Sequence, residues 1–240
     1  MAITKYKRRI HWITFFIICL GSMSAQESQP SIDNFANNYQ QKTGIYSALY
    51  YGLEYEGYAS AKSHPFFEDK QYVKARLLYQ QTIYPEVNLR YDMHRDELIV
   101  QSHDLRNIVL FPQKVEYAEL HGKHIIYFQA DTLPGCPASG YYILLHANNC
   151  KVMEKRIALL KEQLSQREII RRFDLKTNFY LLIDGRYLLI KNQKGLLNAL
   201  QPFDKELKRF ISANHLKFRK DTESFLVRVV GEYETKKGSL

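Results

Sequence analysis

Asp92, His94 and Asp96 alternate within five residues, so an extended chain would bring two carboxylates and an imidazole to one side. Such a set can ligate a metal or move a proton. Arg95 sits in its midst, however, and a polar turn joining two strands explains the segment without chemistry. Any hidden catalytic site would be expected to include His94, which alone among the histidines has a carboxylate two residues away on both sides. His121 and His124 have HxxH spacing, but Gly122-Lys123 between them reads as a hairpin turn rather than one face of a helix. There is no GxSxG elbow, no phosphate loop and no dinucleotide fingerprint. The expectation is a protein that is not an enzyme, with no catalytic residues, no cofactor and no metal.

Binding chemistry is better represented. Tyr46, Tyr50, Tyr51, Tyr55 and Tyr58 crowd one segment, and tyrosine faces on an exposed sheet can stack on sugars or clamp a peptide. Packing within the first strands is the competing reading, since tyrosine suits half-buried pleated surfaces. Beyond residue 25 the cysteines are Cys136 and Cys150, with a β-like segment between them. A disulfide and two separate thiols both stay open, because the sequence does not supply the Cα separation that a bridge requires. Without a CxxC motif the two do not make a zinc site. Lys205, Lys208 and Arg209 line a helix and read as a solvated face.

Residues 1–25 read as an export signal. Lys5, Lys7, Arg8 and Arg9 precede an apolar run at residues 13–20 (ITFFIICL), and Gly21, Ser22, Ser24 and Ala25 supply small residues, with cleavage expected after Ala25. The apolar run falls well short of the roughly 20 residues of a spanning helix, so no transmembrane span is expected in the mature chain. Cys19 follows Phe16-Ile17-Ile18, where a lipobox needs small residues. The chain has 34 Lys+Arg and 25 Asp+Glu, net +9. Without the four leader cations the excess is +5, spread thinly, which argues against nucleic acid as a partner.

The elements that must position any site follow from periodicity. Residues 26–42 are polar and aperiodic and read as a linker. From residue 43 to about 150 the period is two: Val73, Ala75, Leu77 and Tyr79 share one face, and Val87, Leu89 and Tyr91 another. Further strands are expected at residues 97–101, 107–111, 115–119, 124–129 and 141–146, separated by turn-rich stretches. The spacing implies consecutive antiparallel strands, a meander that packs as a half-barrel or sandwich. Residues 151–172 are ambiguous: Ile157, Leu160 and Leu164 fit a helical stripe in a helix-favouring composition, which favours helix over an extension of the sheet. Asp184-Gly185 between β-rich runs marks a two-residue hairpin. Leu196, Leu200, Leu207 and Ile211 then show helical spacing, and Asp221 caps a last helix carrying Phe225, Leu226, Val229 and Val230. The expected fold is α+β: a β module at 43–150, then a joining segment, hairpin and helices at 151–240.

A pattern of residues also resembles a known family. Leu49-Tyr50, Gly52, Glu54-Tyr55, His64-Pro65-Phe66-Phe67, Tyr84, Val87, Leu89 and Tyr91-Asp92 begin it. Ile108, Leu110, Val115, Gly122 and Gly140-Tyr141-Tyr142 continue it, with a Tyr-rich hairpin and helices after. In order and type these resemble a family of small secreted cell-envelope proteins of Bacteroidetes-type bacteria. The resemblance implies export to the periplasm or cell envelope, and it brings no activity, cofactor or catalytic residue. Three functions are therefore in view. The first is a non-catalytic envelope protein that binds a partner protein or another envelope component. The second is a glycan- or small-ligand-binding module using the Tyr-rich surface, and the third is a hydrolase with a scattered site. An open pocket with converging polar groups would favour the hydrolase, and a flat exposed aromatic patch would favour the other two.

Overall fold

The computed structural model describes residues 47–58, 61–164 and 169–239. The expected signal at 1–25, the linker at 26–42 and Tyr46 lie outside them. A first meander runs through β2 (Val73–Tyr79), β3 (Thr82–Asp92), β4 (Glu97–Gln101) and β5 (Asn107–Val109), with the two-residue β1 (Leu53–Glu54) beside β5. A second runs through β6 (Val115–Leu120), β7 (Lys123–Phe128), β8 (Gly140–Ala147), β9 (Lys151–Leu164), β10 (Ile169–Ile183) and β11 (Arg186–Ile190). All neighbouring strands are antiparallel, and the spatial order is β1-β5-β4-β3-β2-β6-β7-β8-β9-β10-β11. Not all sequence neighbours pair. β6 turns back onto β2, with Leu77 opposite Ala118, and so joins two meanders into one open sheet. Helices α1 (Gln193–Ala199), α2 (Asp204–Ala213) and α3 (Thr222–Lys237) follow.

Alternation explains most of the strands. In β2, Ala75, Leu77 and Tyr79 are buried while Lys74 and Arg76 are exposed or half-exposed. Tyr84 and Val87 of β3 both face the core although three residues apart, because a register shift between Ala75 and Leu77 absorbs the extra residue. Asp184 and Gly185 connect β10 to β11 at φ 48 and 70, with Ile183 opposite Arg186.

Residues 151–164 and 169–172 are strand, which overturns the expectation of a helix there. β9 and β10 pair from Lys151 opposite Leu182 to Leu164 opposite Ile169. Near β8 both faces of β9 are covered, so Val152, Met153 and Glu154 are all buried and period two is erased. Farther out Leu159 and Leu164 are exposed, and no periodicity remains there either. β10 pairs with β9 along its whole length and β8 with its first residues, and those backbone partners override the helix propensity of Ala, Leu, Lys and Glu. The expected boundary after residue 150 falls at the turn between β8 and β9, and the sheet runs through it.

The sheet carries two main cores. The first gathers Leu77, Tyr84, Leu89, Leu98, Leu120 and Ile143, among others, and reaches Ala158 and Phe173 on the outer strands. The second packs α1–α3 on Leu181, Ile183 and Ile190. Asp221 caps α3 by accepting from Ser224 N at 2.9 Å. The Met93–Asp96 turn after β3 meets β9 through Ala158 N donating to Met93 O at 3.1 Å and through Lys155 Nζ on Asp96 at 2.6 Å. Among the described residues, no helix is long and apolar enough to cross a membrane.

Candidate functional site

Where the two cores meet, the sheet leaves a cleft of about 880 Å³. Met93 and Phe173 of the first core form one wall, and Phe179, packed on the second, forms another. The loop bearing His64, Phe66 and Glu68 closes one side and the first turn of α3 the other. That loop is tied down: Phe67 N donates to Tyr91 O at 2.9 Å, Met93 N to Pro65 O at 3.0 Å, and Phe173 N to Ser63 Oγ at 2.7 Å.

The floor is β9. Glu154 stands between Ile143 of β8 and Phe179 of β10, and Arg156 lies two residues on, hence on the same face. Arg156 Nε donates to Glu154 Oε1 at 2.6 Å and Nη2 to Glu223 Oε1 at 2.9 Å, while Nη1 engages Glu68. Lys123 of β7 holds the other oxygen of Glu223. Burial pushes the Glu154 carboxyl above its usual range, an effect that Arg156 offsets only in part. Burial also works upward on Glu223, but Lys123 and Arg156 outweigh it and hold that carboxyl below its ordinary value. Two neighbouring carboxyl groups are thus driven in opposite directions.

Glu154 is 1% exposed, and its Oε2 has no hydrogen-bond partner among the described residues. A buried acceptor left unmade costs about 1–3 kcal/mol. His64 Nδ1, also on the cleft, is likewise unpartnered. At the rim Lys176 and Lys220 are exposed and form no salt bridge among the described residues.

The residues singled out from sequence lie elsewhere. Tyr55 and Tyr58 meet, but on a buried carboxylate: their hydroxyls donate to Asp92 Oδ2 at 2.8 and 2.5 Å. Burial, then Asp92, raises both phenols well above the ordinary value. Tyr50 is half-buried with its ring edge toward His103, and Tyr51 is 83% exposed. These four tyrosines do not form one flat platform. Residues 93–96 make the turn between β3 and β4, and His94 Nδ1 is 2.8 Å from Ala158 O, with Tyr58 and Phe173 at its ring edges. Asp92 accepts from the amides of His94 and Arg95, and Asp96 from Lys155 and Tyr91, so both carboxylates are spent on the fold.

His121 and Gly122 form the β6–β7 turn at φ 50 and 70, and His124 lies in β7 opposite Glu119. No group of three or more His, Cys, Asp or Glu among the described residues could hold a metal ion. Cys136 and Cys150 are free thiols, so the disulfide left open by the sequence is not formed. Cys136 packs with Tyr142 and Tyr187, and Cys150 is buried with α1–α3, so the two belong to different clusters. Burial pushes the Cys150 thiol up to about 11, the reverse of an activated nucleophile.

The cleft residues escaped the sequence pattern because Glu68, Glu154, Arg156 and Glu223 come from segments far apart in the chain. The segment itself gave no signal, since Glu154 stands among Lys151, Lys155 and Arg156 and reads as one of a run of surface charges. Comparison with known proteins finds no matching family model, no similar curated protein and no similar solved structure.

Proposed function

We propose that the protein is an exported, non-catalytic binding protein of the cell envelope, and that the cleft between its two cores receives a small polar ligand. The observation that carries this reading is the buried, unpartnered Oε2 of Glu154 on the cleft floor. Removing such an oxygen from water is unfavourable until a donor reaches it. Phenylalanine walls, a few converging polar groups and a volume near 880 Å³ are the usual make-up of a small-molecule site. Export is supported by the leader pattern at residues 1–25 and by the family resemblance. We further read the roll that brings the β3–β4 turn onto β9 as a half-barrel that shapes one wall of the cleft.

The test is an NMR titration of the mature chain with sugars, amino acids, dipeptides and nucleosides. Shifts should cluster at the amides of Phe173, Thr177, Phe179 and Glu223. Shifts scattered over the surface, or confined to Tyr50 and Tyr51, would refute the cleft as the binding site.

One observation favours catalysis instead: Glu154 and Glu223 are held in opposite protonation tendencies, as an acid and a base are. That reading requires turnover of some substrate that both Glu154→Gln and Glu223→Gln abolish.

A further inference from the structure

At the inner end of the cleft one carboxylate oxygen, Glu154 Oε2, is left without a donor among the described residues. Glu154 and Glu223 pair there with Arg156 and Lys123, and the exposed Glu68 also meets Arg156. Arg156 is already divided among all three carboxylates. Asp221 also lines the cleft, but its side chain is spent on capping α3. At the outer end Lys176 and Lys220 are exposed and outside any salt bridge among the described residues. Between the ends stand Phe66, Phe173 and Phe179, and aromatic faces attract ammonium groups.

We infer that the cleft takes a zwitterion, an amino acid or short peptide, with its primary ammonium donating to Glu154 Oε2 at the floor and its carboxylate toward Lys176 and Lys220 at the rim. This rests on the cleft being the binding site. A sugar hydroxyl would also satisfy Oε2, but an ammonium makes the stronger bond to a carboxylate, because donor and acceptor are both charged. The groups facing Glu154 are Arg156 on its own strand and Glu223 from α3, with Glu68 and Lys123 acting through those two; Ile143 and Phe179 on the flanking strands do not titrate. Burial raises the Glu154 carboxyl above its usual range, Arg156 opposes that and Glu223 adds to it; an ammonium at Oε2 would act in the same direction as Arg156.

The probes are glycylphenylalanine, its N-acetylated form, its C-terminal amide and the neutral disaccharide cellobiose. Each is titrated into the mature protein by calorimetry, with NMR to locate the site. Free dipeptide should bind in the cleft. N-acetylation or Glu154→Gln should weaken it about tenfold or more, the loss of a charge-assisted bond in a buried site. Amidation, or the exposed pair Lys176→Gln/Lys220→Gln, should weaken it about two- to fivefold. The ligand series needs no variant, so a misfolded Glu154→Gln protein would leave the test intact. Equal affinity for the N-acetylated and free dipeptide overturns the ammonium assignment while the cleft stands, as does cellobiose occupying the cleft when the dipeptide does not. If no probe shifts cleft amides, the assignment and the binding site fall together.

Discussion

Asp92 ends β3 with its side chain fully buried, and four donors converge on it. Oδ1 accepts from His94 N at 2.8 Å and Arg95 N at 3.1 Å, which closes the β3–β4 turn. Oδ2 accepts from the hydroxyls of Tyr55 and Tyr58. Bonds to a charged acceptor contribute about 1.5–3 kcal/mol each. Tyr58 is half-buried and can recover some of its loss from water, so the four do not sum in full. Asp92→Ala should therefore cost about 3–5 kcal/mol, in the range for stranding buried partners. Asp92→Asn keeps an oxygen, now uncharged, for the two turn amides, while its NH2 cannot accept from the tyrosine hydroxyls and must donate to them instead, at about 1–2 kcal/mol. Tyr58→Phe should cost about 1 kcal/mol and be less than additive with Asp92→Asn. Urea unfolding of residues 26–240 followed by far-UV circular dichroism reads these variants and the Tyr58→Phe/Asp92→Asn pair, because the sole tryptophan is Trp12. If Asn and Ala variants lose the same stability, the turn amides are not the larger burden and the reasoning fails.

Two other perturbations test the packing. Burial raises the phenols of Tyr91, Tyr141 and Tyr142 above the ordinary value of 10.0, and burial with Asp131 pushes Tyr187 up to about 12. The folded protein thus holds these protons more tightly than the unfolded chain. Their stabilisation is complete below about pH 10 and drains away above it, for Tyr187 over roughly pH 10–12; a urea midpoint that stays level from pH 9 to 11 would contradict this. Gly140 and Gly185 should part company on substitution by alanine. A Cβ at Gly185 meets nothing but must accept φ +70, at about 1–2 kcal/mol. At Gly140 it would crowd Asp96 Oδ2 and stand 2.7 Å from Lys155 Nζ, displacing a half-buried ion pair at a position whose φ is +153, so thermal melting should fall further there than at Gly185.

The strands of the first meander were legible because each buries one face. Val73 to Tyr79 and Val87 to Tyr91 write that burial into alternate positions, and the helices after residue 192 write theirs at spacings of three and four. What stayed hidden depended on neighbours distant in sequence. No local pattern says that β6 pairs with β2 rather than β5. β9 could not be read because Val152 to Glu154 are buried on both faces while residues 159–164 are mostly exposed on both. The tyrosines were conspicuous as a cluster, yet their environment turns on Asp92, 34 and 37 residues away.

The same dependence explains why the cleft was the last thing to emerge. Lys123, Glu154, Arg156 and Glu223 each look like ordinary surface charges in their own segments. Folding brings them to a seam between two apolar cores, where Glu154 keeps only 1% of its surface. A buried ion network of this kind is a poor way to stabilise a fold, since apolar residues of similar volume often do as well or better. The two cores already share Leu145 as a packing partner, so the seam does not need charge to hold together. Its one unmet oxygen belongs to a residue that lines the cleft. Charge concentrated where stability gains little from it, opening onto a space of ligand size, is better accounted for by what enters the cleft than by what holds the sheet.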